Sequence, residues 1–197
     1  MTVLTYSSTP NATFVKAALL FSFAICLMTG TSRIAHARLI HVPKEHATIQ
    51  AGIEAASAGD TVVVAAGTYK ERIRLKVGIT VKSAGDDTKG KLGLLRAEKT
   101  IIDGGGLSTE RLNGAGVSME EHAVLDGFSI TNVGQYDDDK WNKHHATNGE
   151  HQEHEHIGAA GTAGIDITGV TCTVKHNIVH YIGYTGIAIT GFKGKRT

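Results

Sequence analysis

The chain has 197 residues, 41% of them hydrophobic and 20% charged, which suits one ordinary folded domain and excludes a disordered chain. Twenty Lys and Arg against nineteen Asp and Glu leave a formal charge of +1, so no overall field draws the molecule to nucleic acid or to an anionic membrane, and nucleic acid is not expected as a partner. Its 24 Gly and 2 Pro, with abundant Thr, Val and Ile, favour many short strands joined by tight turns over a helix bundle.

From the N-terminus, a long polar stretch leads to Lys16 and then to an apolar run, Ala17 to Met28. That run of about twelve residues is shorter than the ~20 a membrane-spanning helix needs, so it reads as a signal peptide rather than an anchor. Ala35-His36-Ala37 supplies the small-x-small pattern that signal peptidase accepts. Residues 1–37 are therefore expected to be removed after Ala37, leaving Arg38–Thr197 as the mature domain, secreted, periplasmic or on the cell surface, with no stable membrane insertion after cleavage. Cys26 lies within the removed run. The mature chain keeps only Cys172, which cannot form an internal disulfide and is expected to pack as a small hydrophobe.

Past the cleavage point, Leu39 to Val42 reads as a strand, and Thr48 to Ser57, with Ile49, Ile53 and Ala56 at helical spacing, as a short helix ended by Gly59-Asp60. Thr61 to Ala66 follows as a β-branched run closed by Gly67-Thr68. Short Gly-bounded apolar runs recur at Ile73 to Leu75, Gly78 to Val81, Thr100 to Ile102, Ala123 to Leu125 and Phe128 to Ile130. A sandwich, a barrel or a coil of stacked strands would each suit them.

Internal repetition favours the coil. Gly164-Ile165-Asp166-Ile167-Thr168-Gly169 recurs 22 residues later as Gly186-Ile187-Ala188-Ile189-Thr190-Gly191, with Thr171 to Val174 and Asn177 to Val179 between. One period thus holds three short strand-like pieces, as a solenoid requires when each coil buries its inward side chains against its neighbours. Ile187 and Ile189 would point inward and Ala188 outward.

Residues 48–71, Thr-Ile-Gln-Ala-Gly-Ile-Glu-Ala-Ala-Ser-Ala-Gly-Asp-Thr-Val-Val-Val-Ala-Ala-Gly-Thr-Tyr-Lys-Glu, resemble the opening segment of pectin-lyase-like right-handed parallel β-helix proteins. The resemblance extends with decreasing specificity over about residues 39–191. It implies an all-β fold, a right-handed parallel β-helix with a short N-terminal capping α-helix whose Ile49 and Ile53 cover the core, a first turn at Gly67-Thr68-Tyr69, and a structural, turn-stacking Asn177. It also implies a chain that is C-terminally incomplete, since Thr197 falls where a new coil starts, and an uncapped end through which it would oligomerise. The family includes polysaccharide lyases, hydrolases, esterases, epimerases, adhesins and metal-delivery proteins, so the fold does not name a reaction.

Residues 136–156 interrupt the coil pattern and hold five of the eleven histidines, at His144, His145, His151, His154 and His156. This stretch is expected to be a loop leaving one corner of the coil. Its imidazoles and carboxylates suit calcium or a transition metal, with Asp137, Asp139, His151, His154 and His156 as ligands, while Tyr136 and Trp141 would stack on a sugar face. A solvated polar loop explains the same composition, and neither a zinc-protease nor a calcium-loop spacing is present.

Elsewhere, Lys70, Glu71, Arg72 and Arg74 are expected to be solvated, Asp103 and Asp126 to form turns, and His176 and His180 to face solvent on one strand. The leading expectation is an exported β-helix protein that binds or cleaves polysaccharide as a lyase or glycoside hydrolase. The alternative is a noncatalytic repeat protein with a surface, structural or metal-handling role through the His-rich stretch.

Overall fold

The Gly-bounded apolar runs fold into thirteen short strands among the described residues, which in this computed structural model are 36–87, 90–106, 114–134, 138–148 and 163–191. All thirteen belong to the second of two units, Met1–His36 and Ala37–Thr197. The chain opens with β1 (Leu39–Val42) and α1 (Ile49–Ala55). It then winds through β2 (Thr61–Val64), β3 (Gly67–Lys70) and β4 (Ile73–Arg74), and next through β5 (Thr80–Ser83), α2 (Leu95–Lys99), β6 (Thr100–Gly106) and β7 (Val117–Ser118). The third winding is β8 (Val124–Asp126), β9 (Ser129–Val133), α3 (Asp138–Asn148) and β10 (Ala163–Thr168), and the fourth β11 (Thr173–Lys175), β12 (Ile178–Val179) and β13 (Thr185–Thr190).

Each winding contributes one strand to each of three parallel sheets, in the orders β1-β2-β5-β8-β11, β3-β6-β9-β12 and β4-β7-β10-β13. This is the arrangement of a parallel β-helix solenoid. Register stacks like on like: Ile40, Val62, Val81, Leu125 and Val174 in the first sheet, Tyr69, Ile102, Ile130 and Val179 in the second, and Ile73, Val117, Ile165 and Ile187 in the third. Most of these inward residues are fully buried, and each buried aliphatic side chain contributes roughly 1.5–3 kcal/mol. The 22-residue repeat is the pairing of β10 with β13, in which Ile165 meets Ile187 and Ile167 meets Ile189. Ile187 and Ile189 are themselves exposed because β13 is the edge strand of its sheet among the described residues.

The N-terminal helix forms where its spacing places it. Thr48 Oγ1 accepts from Ala51 N at 3.1 Å, and the Glu71 carboxylate accepts from Ile49 N and Gln50 N at 2.8 and 2.9 Å, satisfying three of the donors a helix start leaves open. Ile49 and Ile53 are buried, and the helix packs on β1, β2 and β4.

Three expectations need correction. Gly67-Thr68-Tyr69 is not a turn but part of β3, which pairs along β6 from Gly67↔Thr100 to Lys70↔Asp103. Within 136–156, Asp138–Asn148 is helical rather than an irregular loop: Asp138 and Asp139 in its first turn favour the helix dipole, and its faces are polar all round, so apolar periodicity gave no sign of it. Glu71 and Arg72 are structural rather than merely solvated, Glu71 through the helix start above and Arg72 by donating to the carbonyls of Gly104, Gly106 and Gly114. Arg74 is exposed.

Candidate functional site

The strongest concentration of charge among the described residues lies where the first sheet turns into the second. In β5, β8 and β11 of the first sheet an inward apolar residue is followed by a charged one, so Lys82, Asp126 and Lys175 stack in register, whereas β2 has Val63 at that position. Between β5 and β6 the chain makes an excursion over residues 84–99, which ends in α2 packed against β6 and β9. That excursion brings Asp87 and Arg96 to the stack.

Arg96 is the hub. Its Nε and Nη2 donate to Asp87 Oδ1 and Oδ2, both at 2.8 Å, and Nη2 also donates to Asp126 Oδ1 at 2.8 Å. His176 Nδ1 lies 2.9 Å from the same Asp126 oxygen, and Lys175 Nζ lies 3.7 Å from Asp126 Oδ2. Burial divides the group: Arg96 and Asp126 side chains are 8% and 12% exposed, Lys175 and His176 49% and 47%.

The backbone is shaped for this contact. His176 holds φ +54°, uncommon for a residue with a side chain, at the corner between β11 and β12. Gly127 holds φ +88°, and a Cβ there would stand 2.5 Å from Ser83 Oγ and 2.9 Å from Arg96 Cζ, so only glycine leaves room for the guanidinium. Beside it, Asn177 Oδ1 accepts from Phe128 N at 2.8 Å and Asn177 Nδ2 donates to Leu125 O at 3.1 Å. The amide joins one coil corner to the next, as the resemblance implies.

Both carboxylates are held ionised. The Arg96 hydrogen bonds keep Asp87 below the usual carboxylate range against some desolvation. Burial pushes Asp126 up, but hydrogen bonds from His176 and Arg96 outweigh it and leave Asp126 below its ordinary value. Arg96 is raised in turn, by Asp87 first and Asp126 next. Acid–base pairs are recognised by environments that push two pKa values apart, whereas here both carboxylates move the same way and share one cation. The buried half of the cluster is a clamp, and its solvent-facing half carries the Lys175 ammonium and the His176 imidazole.

His176 is therefore tethered rather than simply solvent-facing, and it does not share a strand face with His180. The two flank β12, and His180 makes an edge contact with the Tyr181 ring at 4.9 Å. Asp103 is not the turn former its sequence suggests: it lies within β6, at the register shift between Asp103 and Gly106, where its carboxylate accepts from Gly105 N at 2.9 Å and from Asn132 Nδ2 at 2.7 Å, on a different sheet from Asp126. Asp139 is exposed on α3, and Trp141 belongs to the same helix with its side chain outside the description. Tyr136, Asp137, His151, His154 and His156 lie outside the described residues. Among the described residues no three His, Cys, Asp or Glu side chains are grouped to hold a metal ion; where Asp87 and Asp126 converge, Arg96 takes the cation's place.

Sequence reasoning passed over Asp87, Arg96 and Lys175. The available signal was the threefold alignment Thr80-Val81-Lys82, Val124-Leu125-Asp126 and Thr173-Val174-Lys175, which places alternating charges on one outward ladder.

Residues 43–197 match the family described as protein of unknown function, DUF1565. The chain belongs to the DUF1565 family. A parallel β-helix-like domain is what that family has, in agreement with the three parallel sheets. No curated protein matches this DUF1565 chain.

Proposed function

We propose that this DUF1565 protein is exported and binds acidic polysaccharide along the outer face of its first sheet, the coil being right-handed and pectin-lyase-like with α1 as its N-terminal cap. The observation that carries the reading is the ladder Lys82, Asp126, Lys175 with His176 beside it. Strands of neighbouring coils lie about 4.8 Å apart, so a chain laid across them meets one rung per coil. Three cations, Lys82, Arg96 and Lys175, stand against the two carboxylates Asp87 and Asp126, so the cluster keeps one net positive charge, and its half-exposed Lys175 and His176 are the groups that meet an anionic sugar. Binding is favoured over cleavage because Asp87 and Asp126 are both kept ionised by one guanidinium, so neither has a proton to give a leaving group.

The test is affinity electrophoresis of the exported protein in gels containing a polyuronate or a neutral glucan, with release of reducing ends followed in parallel. Retardation by the polyuronate alone, weakened by salt and lost in Lys175→Glu but kept in Arg74→Gln on the third sheet, is the expected result. Equal migration in both gels overturns the reading. Stabilisation by calcium, zinc or copper that disappears when His151, His154 and His156 are replaced would instead support a metal-handling role for residues 136–156, with Asp137 and Asp139 as further ligands.

A further inference from the structure

Among the described residues, backbone hydrogen bonding of the coil begins at Arg38. Its carbonyl accepts from Thr61 N at 2.8 Å, the first bond joining β1's side of the sheet to β2. Its own nitrogen donates to Asp60 Oδ1 at 2.9 Å, and its guanidinium reaches the other carboxylate oxygen through Nε at 3.2 Å and Nη2 at 2.8 Å. Ser57 N adds a fourth donor to that carboxylate at 2.9 Å. Asp60 is buried, with 6% of its side chain exposed, while Ala37 and Arg38 are exposed. The bond between Ala37 and Arg38 is also the one at which the signal-peptide pattern Ala35-His36-Ala37 predicts cleavage. Two independent observations therefore meet at one peptide bond.

We infer that cleavage after Ala37 completes the N-terminal anchor of the fold, because it turns the Arg38 amide nitrogen into an α-ammonium seated on the buried Asp60 carboxylate. The inference rests on the export reading. In the precursor this nitrogen is a neutral peptide N–H. Hydrolysis of the Ala37–Arg38 bond adds water across it, giving the leader a new carboxylate and Arg38 an amine that takes up a proton. The other charged groups around it are the Arg38 guanidinium, Glu45, which acts on that guanidinium, and Lys76, whose ammonium is bonded to the carbonyls of Glu54 and Ala56 at the end of α1. Asp60 already lies well below the usual carboxylate range through its bonds to Arg38 and Ser57, so it stays an anion wherever the amine titrates.

An amine facing a carboxylate is raised above its ordinary pKa of about 7.7–8.0. Its contribution to stability is then fully present below about pH 7.7 and is lost as pH rises through the folded-state value. The experiment expresses the full 197-residue chain in an exporting host, reads the mature terminus by mass, and measures the pH dependence of α-amine acylation in native and unfolded protein. A variant with one glycine inserted between Ala37 and Arg38 is exported and cut in the same way but carries its amine one residue away. The expected result is a terminus at Arg38 whose amine is acylated more slowly in the native than in the unfolded protein at neutral pH, about tenfold for each unit of raised pKa. The difference should shrink in the insertion variant and in Asp60→Asn. An Arg38 terminus that reacts alike in native and unfolded protein overturns the anchor while leaving export standing. A terminus elsewhere, or an uncut chain, overturns the processing site itself.

Discussion

Arg96 Nη2 donates to Asp126 Oδ1 at 2.8 Å, joining side chains 30 residues apart and fastening the 84–99 excursion to the third winding. Both partners are nearly buried, so removing the cation leaves a desolvated carboxylate with only the half-exposed Lys175 and His176 to compensate it. Arg96→Ala is expected to destabilise the fold by about 3 kcal/mol or more, because breaking a buried pair from one side costs far more than the pair contributes net. Replacing Arg96, Asp87 and Asp126 together by Met, Ala and Leu should cost markedly less than Arg96→Ala alone. Urea unfolding at unchanged m-value reads both, and a loss below about 1 kcal/mol in the single variant would place this pair with ordinary surface pairs.

Two glycines separate backbone conformation from space. Gly59 and Gly127 have nearly the same positive φ, +90° and +88°, but a Cβ at Gly59 would meet nothing within 4 Å while one at Gly127 would strike Ser83 and Arg96. Gly59→Ala should cost about 1 kcal/mol for the left-handed backbone alone. Gly127→Ala should cost clearly more, since the guanidinium must also leave its position between Asp87 and Asp126. Equal midpoints in thermal unfolding for the two variants would show that Arg96 shifts without penalty.

Acid should loosen the coil in a defined window. Asp60, Asp87 and Asp126 all have folded-state pKa values below their ordinary ones. For a depressed group the stabilisation is present above the unfolded value of about 3.9 and is lost as pH falls through the folded value. The melting temperature should therefore hold level from about pH 6 to pH 5 and fall steeply below about pH 4. In Asp126→Asn the acid slope should be shallower, although that variant starts from a lower midpoint. An unaltered slope in this variant would mean that Asp126 is not among the groups whose protonation unfolds the chain.

The coil was legible because its determinants are local and periodic. Ile165 and Ile187 occupy the same place in two copies of one hexapeptide, and their pairing follows from the repeat alone. Thr48, Ile49 and Ile53 likewise mark α1 by spacing. The clamp was not legible, because Arg96 reaches Asp126 only after an excursion whose sequence carries neither the repeat nor a two-residue alternation. Asp126 before Gly127 looks like a turn former, and its burial arises from side chains of other coils rather than from its neighbours. The helix Asp138–Asn148 escaped for a related reason: with no apolar face to bury, it shows no period that a pattern search detects.

Asn177 offers the sharpest check on how coil corners are held. Its amide oxygen accepts from Phe128 N and its amide nitrogen donates to Leu125 O, so one side chain serves two backbone groups of the preceding corner. Phe128 is fully buried, and its N–H depends on that oxygen. Asn177→Ala should cost roughly 1–3 kcal/mol, the penalty for leaving a buried donor unsatisfied. Asn177→Asp keeps the acceptor but turns the second contact into an oxygen facing the Leu125 carbonyl, a repulsion relieved only when the new carboxyl is protonated. Its pKa is thereby raised in the folded state, so the deficit of this variant relative to the parent should narrow as pH falls through that raised value. Urea midpoints of parent, Asn177→Ala and Asn177→Asp at about pH 7 and pH 5 test the scheme. If the aspartate variant matches the parent at both pH values, the bond to Leu125 contributes nothing, and Phe128 alone holds the corner.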